Sequence, residues 1–374
     1  MPTLFDPLKV GALSLPNRIV MAPLTRSRAH PDSRVPSALA VDYYRQRAGA
    51  GLIISEATSV TPMGVGYAGT PGIWSDAQTE GWRAVTSAVH AAGGRMLLQL
   101  WHVGRISHPL FLNGATPVSA SAVRPKGNVS LVRPETEYVT PRALETEEIP
   151  GVIAAYRKGA ENAKAAGFDG VEIHGANGYL LDQFLQDSTN HRTDAYGGTR
   201  EKRARLMLEV ADAVAEVWGA DRVGMHLAPR ADAHDMGDSD RLATFTYVGR
   251  ELGKRGLAFL CARETQITPG MTPPLDSQGK PRDIAGKESI GPAIKQAFGG
   301  IFIANESFTR ETATRALAEG VADAVAFGKL FIANPDLVER FARNAPLNEW
   351  DANTFYSGGA HGYTDYPALS PATV

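Results

Sequence analysis

Eight short, nearly continuous apolar runs recur along the chain with helical stripes between them, and this alternation restricts the fold more than any other feature. The runs cover residues 17–24, 51–57, 95–101, 170–174, 222–227, 258–263, 299–304 and 323–327. Runs that lack an apolar–polar alternation mark strands buried on both faces of a parallel sheet. Between them, apolar residues recur three and four apart, as on one face of a helix. Trp82, Val85 and Val89 follow the helix-start signal Ser75-Asp76, and Val152, Tyr156, Ala160 and Ala163 make a second stripe. Leu206, Val210, Ala213, Val214 and Val217 make a third, and Leu242, Phe245 and Leu252 a fourth. Gly93-Gly94, Gly167, Gly256, Gly299-Gly300 and Gly320 stand where glycine commonly ends a helix before the next strand. Eight strand–helix units predict an α/β fold, a single (β/α)8 TIM barrel over residues 1–374. A doubly wound open sheet is the alternative, weakened because no G-x-G-x-x-G follows the first run.

Two segments break the alternation. Residues 103–150 carry Pro109, Pro117, Pro125, Pro134 and Pro141 and the alternating Tyr138-Val139-Thr140. They are expected to form a capping excursion over one barrel mouth, with a short hairpin, because long loops in compact domains are usually functional. Residues 264–288, rich in Pro and Gly, form a second long loop.

Composition narrows the function. Lys plus Arg number 38 and Asp plus Glu 40, a net charge of −2, so no basic excess points to nucleic acid or to a membrane surface. Cys261 is the only cysteine, which leaves no intrachain disulfide and no cysteine-ligated zinc or iron–sulfur site. The opening Met1-Pro2-Thr3-Leu4-Phe5-Asp6-Pro7 has no basic region and no long apolar run, so neither a signal peptide nor a transmembrane helix is expected. A cytoplasmic enzyme is the expectation.

Barrel active sites form at the C-terminal ends of the strands. There the chain offers Pro23, Leu24, Thr25 and Arg26, then Glu56 and Ala57, then Gln99, Trp101 and His102. The later runs add His174, Asn177 and Tyr179, then His226, Arg263, Glu264, Asn305 and Gly328-Lys329. His174 and Asn177 are three apart, and a helical turn would place both on one side. Each can donate to one oxygen, polarising a carbonyl in the manner of an oxyanion hole. Tyr179 adds a phenol able to act as a general acid. His102, His174 and His226 raise the option of a metal-dependent hydrolase, weakened because the nearest carboxylates are Glu56 and Glu264 and the first strand brings no histidine. A non-catalytic carrier of a small ligand is a further option. The stretches from Ala304-Asn305 and from Gly328-Lys329 each run into a helix after the last two strands, the usual phosphate-binding place in such a barrel.

These residues fall into ordered motifs: Asn17-Arg18 through Ala22-Pro23-Leu24-Thr25-Arg26, Gln99-Leu100-Trp101-His102 with Gly104-Arg105, and His174 through Tyr179-Leu180. Further along stand Asn190-His191-Arg192-Thr193-Asp194 with Tyr196-Gly197-Gly198, Ala333-Asn334-Pro335-Asp336-Leu337, and Phe355-Tyr356 with Gly362-Tyr363. In these motifs, over nearly its whole length, the chain resembles the Old Yellow Enzyme family of FMN-dependent ene-reductases. It looks like the branch with Thr after the first strand. The resemblance implies non-covalent FMN across the barrel mouth, reduced by NADPH or NADH. It implies hydride transfer from the flavin to the β-carbon of electron-poor alkenes, namely α,β-unsaturated carbonyl or nitro compounds. Pro23, Leu24, Thr25, Ala57 and Gln99 would contact the ring, with His226 at the strand-five position facing it. Ala304, Asn305, Gly328 and Lys329 would hold the phosphate. His174 and Asn177 would bind the substrate oxygen, and Tyr179 would protonate the α-carbon. Tyr67, Trp101 and Tyr356 would line the substrate pocket. Phenolates would bind over the flavin as substrate mimics and give a charge-transfer band. Two positions depart from the family pattern: His226 and Lys329 stand where arginine is usual. No metal is implied, and monomer or homo-oligomer stays open.

Overall fold

The computed structural model of the chain describes residues 1–230, 233–264, 288–356 and 358–369. Eight parallel strands close on themselves: β1 (Ile19–Met21), β2 (Leu52–Ile54), β3 (Met96–Trp101) and β4 (Gly170–Gly175), then β5 (Val223–Leu227), β6 (Phe259–Arg263), β7 (Ile301–Asn305) and β8 (Ala324–Phe327). Each pairs with the next in chain order, and β8 returns to β1 with Ala326 opposite Val20. The predicted (β/α)8 barrel is the observed fold. The first strand is shorter than its apolar run because the Asn17 side chain accepts from the Ile19 backbone N–H (3.0 Å) and Pro23 has no N–H for the ladder.

Alternation along the strands sorts their side chains into two cores. Ile19, Met21, Leu98, Leu100, Val171, Ile173, Met225, Leu260 and Val325 face outward and pack in one buried cluster with the surrounding helices. α1 (Ala38–Arg45), α2 (Asp76–Ala91), α3 (Ile149–Ala165), α4 (Leu180–Leu185) and α5 (Arg200–Trp218) precede α6 (Arg241–Lys254), α7 (Gly291–Phe298), α8 (Arg310–Ala318), α9 (Lys329–Ala333) and α10 (Leu337–Arg343). α2 starts where Ser75 and Gln78 form a capping box, and it buries Trp82, Val85 and Val89. α6 buries Phe245, Val248 and Leu252, but Leu242 of the predicted stripe is 51% exposed: it lies in the first turn, short of the outer core.

Inside the barrel, Val20, Leu52, Leu97, Phe259, Cys261, Ile303 and Ala324 form a second cluster. The Phe259 ring fills the centre so closely that a Cβ on Gly224 would lie 2.1 Å from it, which is why β5 carries glycine there. The N-terminal end is closed by an antiparallel hairpin, Leu8–Val10 against Leu13–Leu15, whose Val10, Leu13 and Leu15 join the inner cluster.

Within residues 103–150, Val118–Ser119 pairs in parallel with Arg142–Ala143, and Asn128 bridges Glu137 antiparallel. Val129 and Tyr138 from this segment share a cluster with Ala57 and Trp101. The second long loop falls almost wholly outside the described residues. At the exit of β1, Arg26 donates to the carbonyls of Phe355 (3.0 Å) and Gly362 (2.7 Å), and Arg28 donates to that of Thr354 (2.8 Å), tying the C-terminal segment to the mouth. No described helix is long and apolar enough to cross a membrane.

Candidate active site

The inward rows that are apolar at the hairpin end turn polar toward the C-terminal ends of the strands. Gln99 and Trp101 on β3, Glu172 and His174 on β4, His226 on β5 and Arg263 on β6 all lie on that face, and all are buried. The Gln99 carboxamide donates to Glu172 Oε2 (2.7 Å), and His226 Nδ1 lies 3.4 Å from the same oxygen. Glu172 Oε1, His226 Nε2 and Trp101 Nε1 are buried without a protein partner. Buried polar atoms in that state are rare and cost roughly 1–3 kcal/mol each, so such a set marks a place built for a ligand.

His174 is the penultimate residue of β4, and its Nδ1 accepts from the Ala176 backbone N–H (3.3 Å). Burial, with the charges of His226 and Arg263 behind it, pushes its pKa well below the ordinary histidine value, so the ring is neutral. With Nδ1 accepting, the proton of the neutral ring sits on Nε2. His174 is thus a donor through Nε2.

The turn after β4 is held from several sides. Gly178 donates its N–H to Asp182 (2.9 Å) and Tyr179 donates its own to the Ala176 carbonyl (3.2 Å). Gln183 donates to the carbonyls of Val103 (3.0 Å) and Gly178 (2.7 Å) and accepts from Arg105 N (3.1 Å) and Ser119 Oγ (2.9 Å), which ties the turn to residues 103–119. Gly178 has φ +76°, and a Cβ there would meet Met236 and His234 within 3 Å. The expected helical turn is not formed. Asn177 adopts φ +58°, a left-handed conformation that asparagine tolerates, and α4 begins only at Leu180. Its amide oxygen accepts from Arg263 Nε (2.6 Å), and its carbonyl lies 2.7 Å from His234 Nδ1.

Four aromatic groups form a wall. Tyr67 stacks on Trp101 at 5.6 Å, while Tyr179 stands edge-on to Trp101 and to His174 at 4.9 Å each. The Tyr67 and Tyr179 hydroxyls are hydrogen-bonded at 3.0 Å. Burial pushes the Tyr179 phenol well above its ordinary value, and the Tyr67 hydroxyl pulls it partly back. Tyr356, 39% exposed, lies within electrostatic reach of both phenols.

The other expected site residues stand as follows. Ala57 is buried in the Trp101 cluster, and Pro23, Leu24 and Thr25 are half-buried where the chain leaves β1. Asn305 ends β7, donating to the Ala326 carbonyl (3.0 Å) beside buried Ala304. Gly328 packs against the Leu24 side chain and precedes α9. Lys329 is exposed, with its ammonium 5.9 Å over the Trp350 ring. His102 is not part of a shared centre with His174 and His226: its Nδ1 accepts from Gly104 N (3.0 Å), and burial lowers its pKa to about 4. Among the described residues the one grouping of metal-type ligands is Glu172, His226 and Cys261. Glu264 instead caps α7, accepting from Ser289 Oγ (2.6 Å) and Gly291 N (2.8 Å).

Sequence reasoning missed Glu172 and Gln183. Glu172 was findable, since it lies two residues before His174 and shares its face; Gln183 and His234 carried no local signal.

Comparison with known proteins gives the family. Residues 3–348 match the NADH:flavin oxidoreductase / NADH oxidase family. 12-Oxophytodienoate reductase 1 of Oryza sativa subsp. japonica is 44% identical over 375 residues, covering 98% of this chain and 93% of that protein. A solved structure of morphinone reductase in complex with tetrahydroNAD is 49% identical with a TM-score of 0.90, covering 100% and 99% of the two chains. The old yellow enzyme homologue from Zymomonas mobilis is 43% identical with a TM-score of 0.92, covering 98% and 100%. The site and these relatives define a flavin oxidoreductase built on a barrel. The chain belongs to the NADH:flavin oxidoreductase family and, within it, to the Old Yellow Enzyme group. Its cofactor is FMN and its hydride donor a reduced nicotinamide. The residues present fit that cofactor: His226 Nε2 is buried without a protein partner beside the inward polar row, at the position expected to face the flavin ring.

Proposed function

We propose that this chain reduces electron-poor alkenes, α,β-unsaturated carbonyl or nitro compounds, at the C-terminal mouth of a single barrel domain capped by residues 103–150. FMN, bound without a covalent link, supplies the hydride that reaches the β-carbon and is recharged by NADPH or NADH. Pro23, Leu24, Thr25, Ala57, Gln99 and His226 would hold its ring, and Ala304, Asn305, Gly328 and Lys329 its phosphate. Lys329 keeps a positive charge but lacks the planar fork that grips phosphate with two bonds.

The observation that carries the proposal is the meeting of a neutral His174, its proton held on Nε2, with the Tyr179 phenol 4.9 Å away ring to ring. His174 Nε2–H and the Asn177 amide N–H would donate to the substrate oxygen. As negative charge builds on that oxygen, both bonds strengthen, which lowers the barrel-mouth barrier to hydride arrival. Tyr179 then gives its hydroxyl proton to the α-carbon. A hydrogen bond from Tyr67 would hold the charge left on the Tyr179 oxygen until the proton is replaced. Tyr67, Trp101 and Tyr356 would clamp the flat substrate, and Val129 and Tyr138 back Trp101. Relatives named for 12-oxophytodienoate and for morphinone support a small organic acceptor.

The test is anaerobic. The yellow protein should bleach with NADPH or NADH and regain its colour on adding 2-cyclohexenone, but not cyclohexanone. Bleached protein that no enone or nitroalkene recolours would overturn the proposal.

A further inference from the structure

Arg263 is not accounted for by any of these roles. It ends β6 on the inward face, opposite Asn305, with its side chain 10% exposed. Its Nε donates to Asn177 Oδ1 at 2.6 Å, and its Nη1 binds Glu306 at 3.0 and 3.2 Å. We propose that Arg263 is a positioning residue: the Arg263–Asn177 contact fixes the Asn177 amide with its NH2 toward the substrate oxygen. The inference rests on the reading of Asn177 as an oxygen donor.

An asparagine amide is nearly symmetric in shape but opposite at its two ends, with a carbonyl that only accepts and an NH2 that only donates. Turned the wrong way, it would present an oxygen to the substrate's oxygen and repel it. A guanidinium has donors and no acceptor, so it can bind only the carbonyl end. Arg263 thereby excludes the wrong rotamer. Its charge also draws electron density along the amide, which makes the opposite N–H a stronger donor. The left-handed backbone at Asn177, with its carbonyl engaged by His234, leaves side-chain rotation as the freedom still to be removed. Glu306 does for Arg263 what Arg263 does for Asn177. It occupies Nη1 and so aims Nε at the amide. Lysine could carry the charge but could not serve both partners from one rigid plane.

The experiment is a double-mutant cycle on the FMN-loaded protein, with 4-chlorophenolate as probe and its charge-transfer absorbance as readout. Asn177→Ala should weaken binding about 5- to 100-fold, the usual range for a lost partner. Arg263→Gln should weaken it at least about 3-fold when Asn177 is present and less than about 1.5-fold when residue 177 is alanine, because contacting residues are coupled. Arg263→Lys should show the same dependence on Asn177, and it serves where the glutamine variant loses its FMN. An equal loss in both backgrounds would mean that Arg263 acts on the phenolate directly, and it would overturn the inference alone. No loss from Asn177→Ala would overturn the donor role of Asn177 and the inference together.

Discussion

At the hairpin end of the barrel, Val10, Leu13 and Leu15 close over Val20, Leu52, Leu97 and Phe259, and the interior there is entirely apolar. At the other end, the same inward rows continue as Gln99, Trp101, Glu172, His174, His226 and Arg263, and three of their buried polar atoms, Glu172 Oε1, His226 Nε2 and Trp101 Nε1, have no protein partner. The strands are continuous between the two ends, so the backbone is not what differs. One end is finished by packing, and the other is finished only when a ligand supplies hydrogen bonds. Stability should therefore reside at the hairpin end and chemistry at the mouth.

The sharpest test of that division is Tyr179→Phe. Reduction of the flavin by NAD(P)H needs no proton from this phenol, whereas alkene reduction does. Stopped-flow measurement should show the first half-reaction nearly unchanged and the second slowed by about 10²–10⁴, the range for a lost general acid. Equal slowing of both would make Tyr179 a positioner of ligands. Nitroalkenes should be slowed least, because a nitronate can leave without a proton.

Phe259→Ala probes the opposite end. Removing the ring that fills the barrel centre should cost about 3–5 kcal/mol in urea unfolding. The folded fraction should keep both half-reactions close to normal. A large change in either rate without a loss of stability would erase the distinction between the ends.

Glu56 tests whether every polar group at the mouth serves chemistry. Its carboxylate accepts from Arg26 N (3.1 Å), and burial pushes its pKa from 4.5 up to about 7. The folded chain therefore holds a proton that the unfolded chain sheds between those values. The stabilisation is full below about pH 4.5 and is lost as pH rises through about 7. Glu56→Gln should flatten this decline by about 2–3 kcal/mol between pH 5 and 8, read from urea midpoints. Asp182, also raised by burial to about 7, keeps a residual slope of the same sign. An unchanged pH profile would show that Glu56 is ionised in the folded chain.

Much of the fold was legible because the signals are local. Trp82, Val85 and Val89 lie on the buried face that their spacing predicts, and the eight apolar runs are the eight strands. Leu242 misled because periodicity shows which residues share a face, not how far along a helix the core extends. The site was legible as a list of strand ends. His174 and Asn177 were paired for a helical geometry that the chain does not adopt, since Gly178 and Asp182 turn it the other way. Lys329 was read from its place in the chain, and its exposed position over Trp350 could not be read there.

The sequence by itself determined the repeating strand–helix order, and with it which residues alternate into the barrel, because side-chain direction in a strand has a period of two. It also placed His174, Tyr179 and His226 at strand ends on one mouth. Only the tertiary structure decided which way each polar atom points. The neutral state of His174 follows from burial with His226 and Arg263 of other strands behind it, the setting of the Asn177 amide from a guanidinium 86 residues away, and the state of Tyr179 from burial and a phenol on another loop. A hydrogen bond is directional and short, so its partners are fixed by how distant segments pack. Hydrophobic burial is neither, which is why a pattern of apolar residues can be read along a chain and a donor cannot.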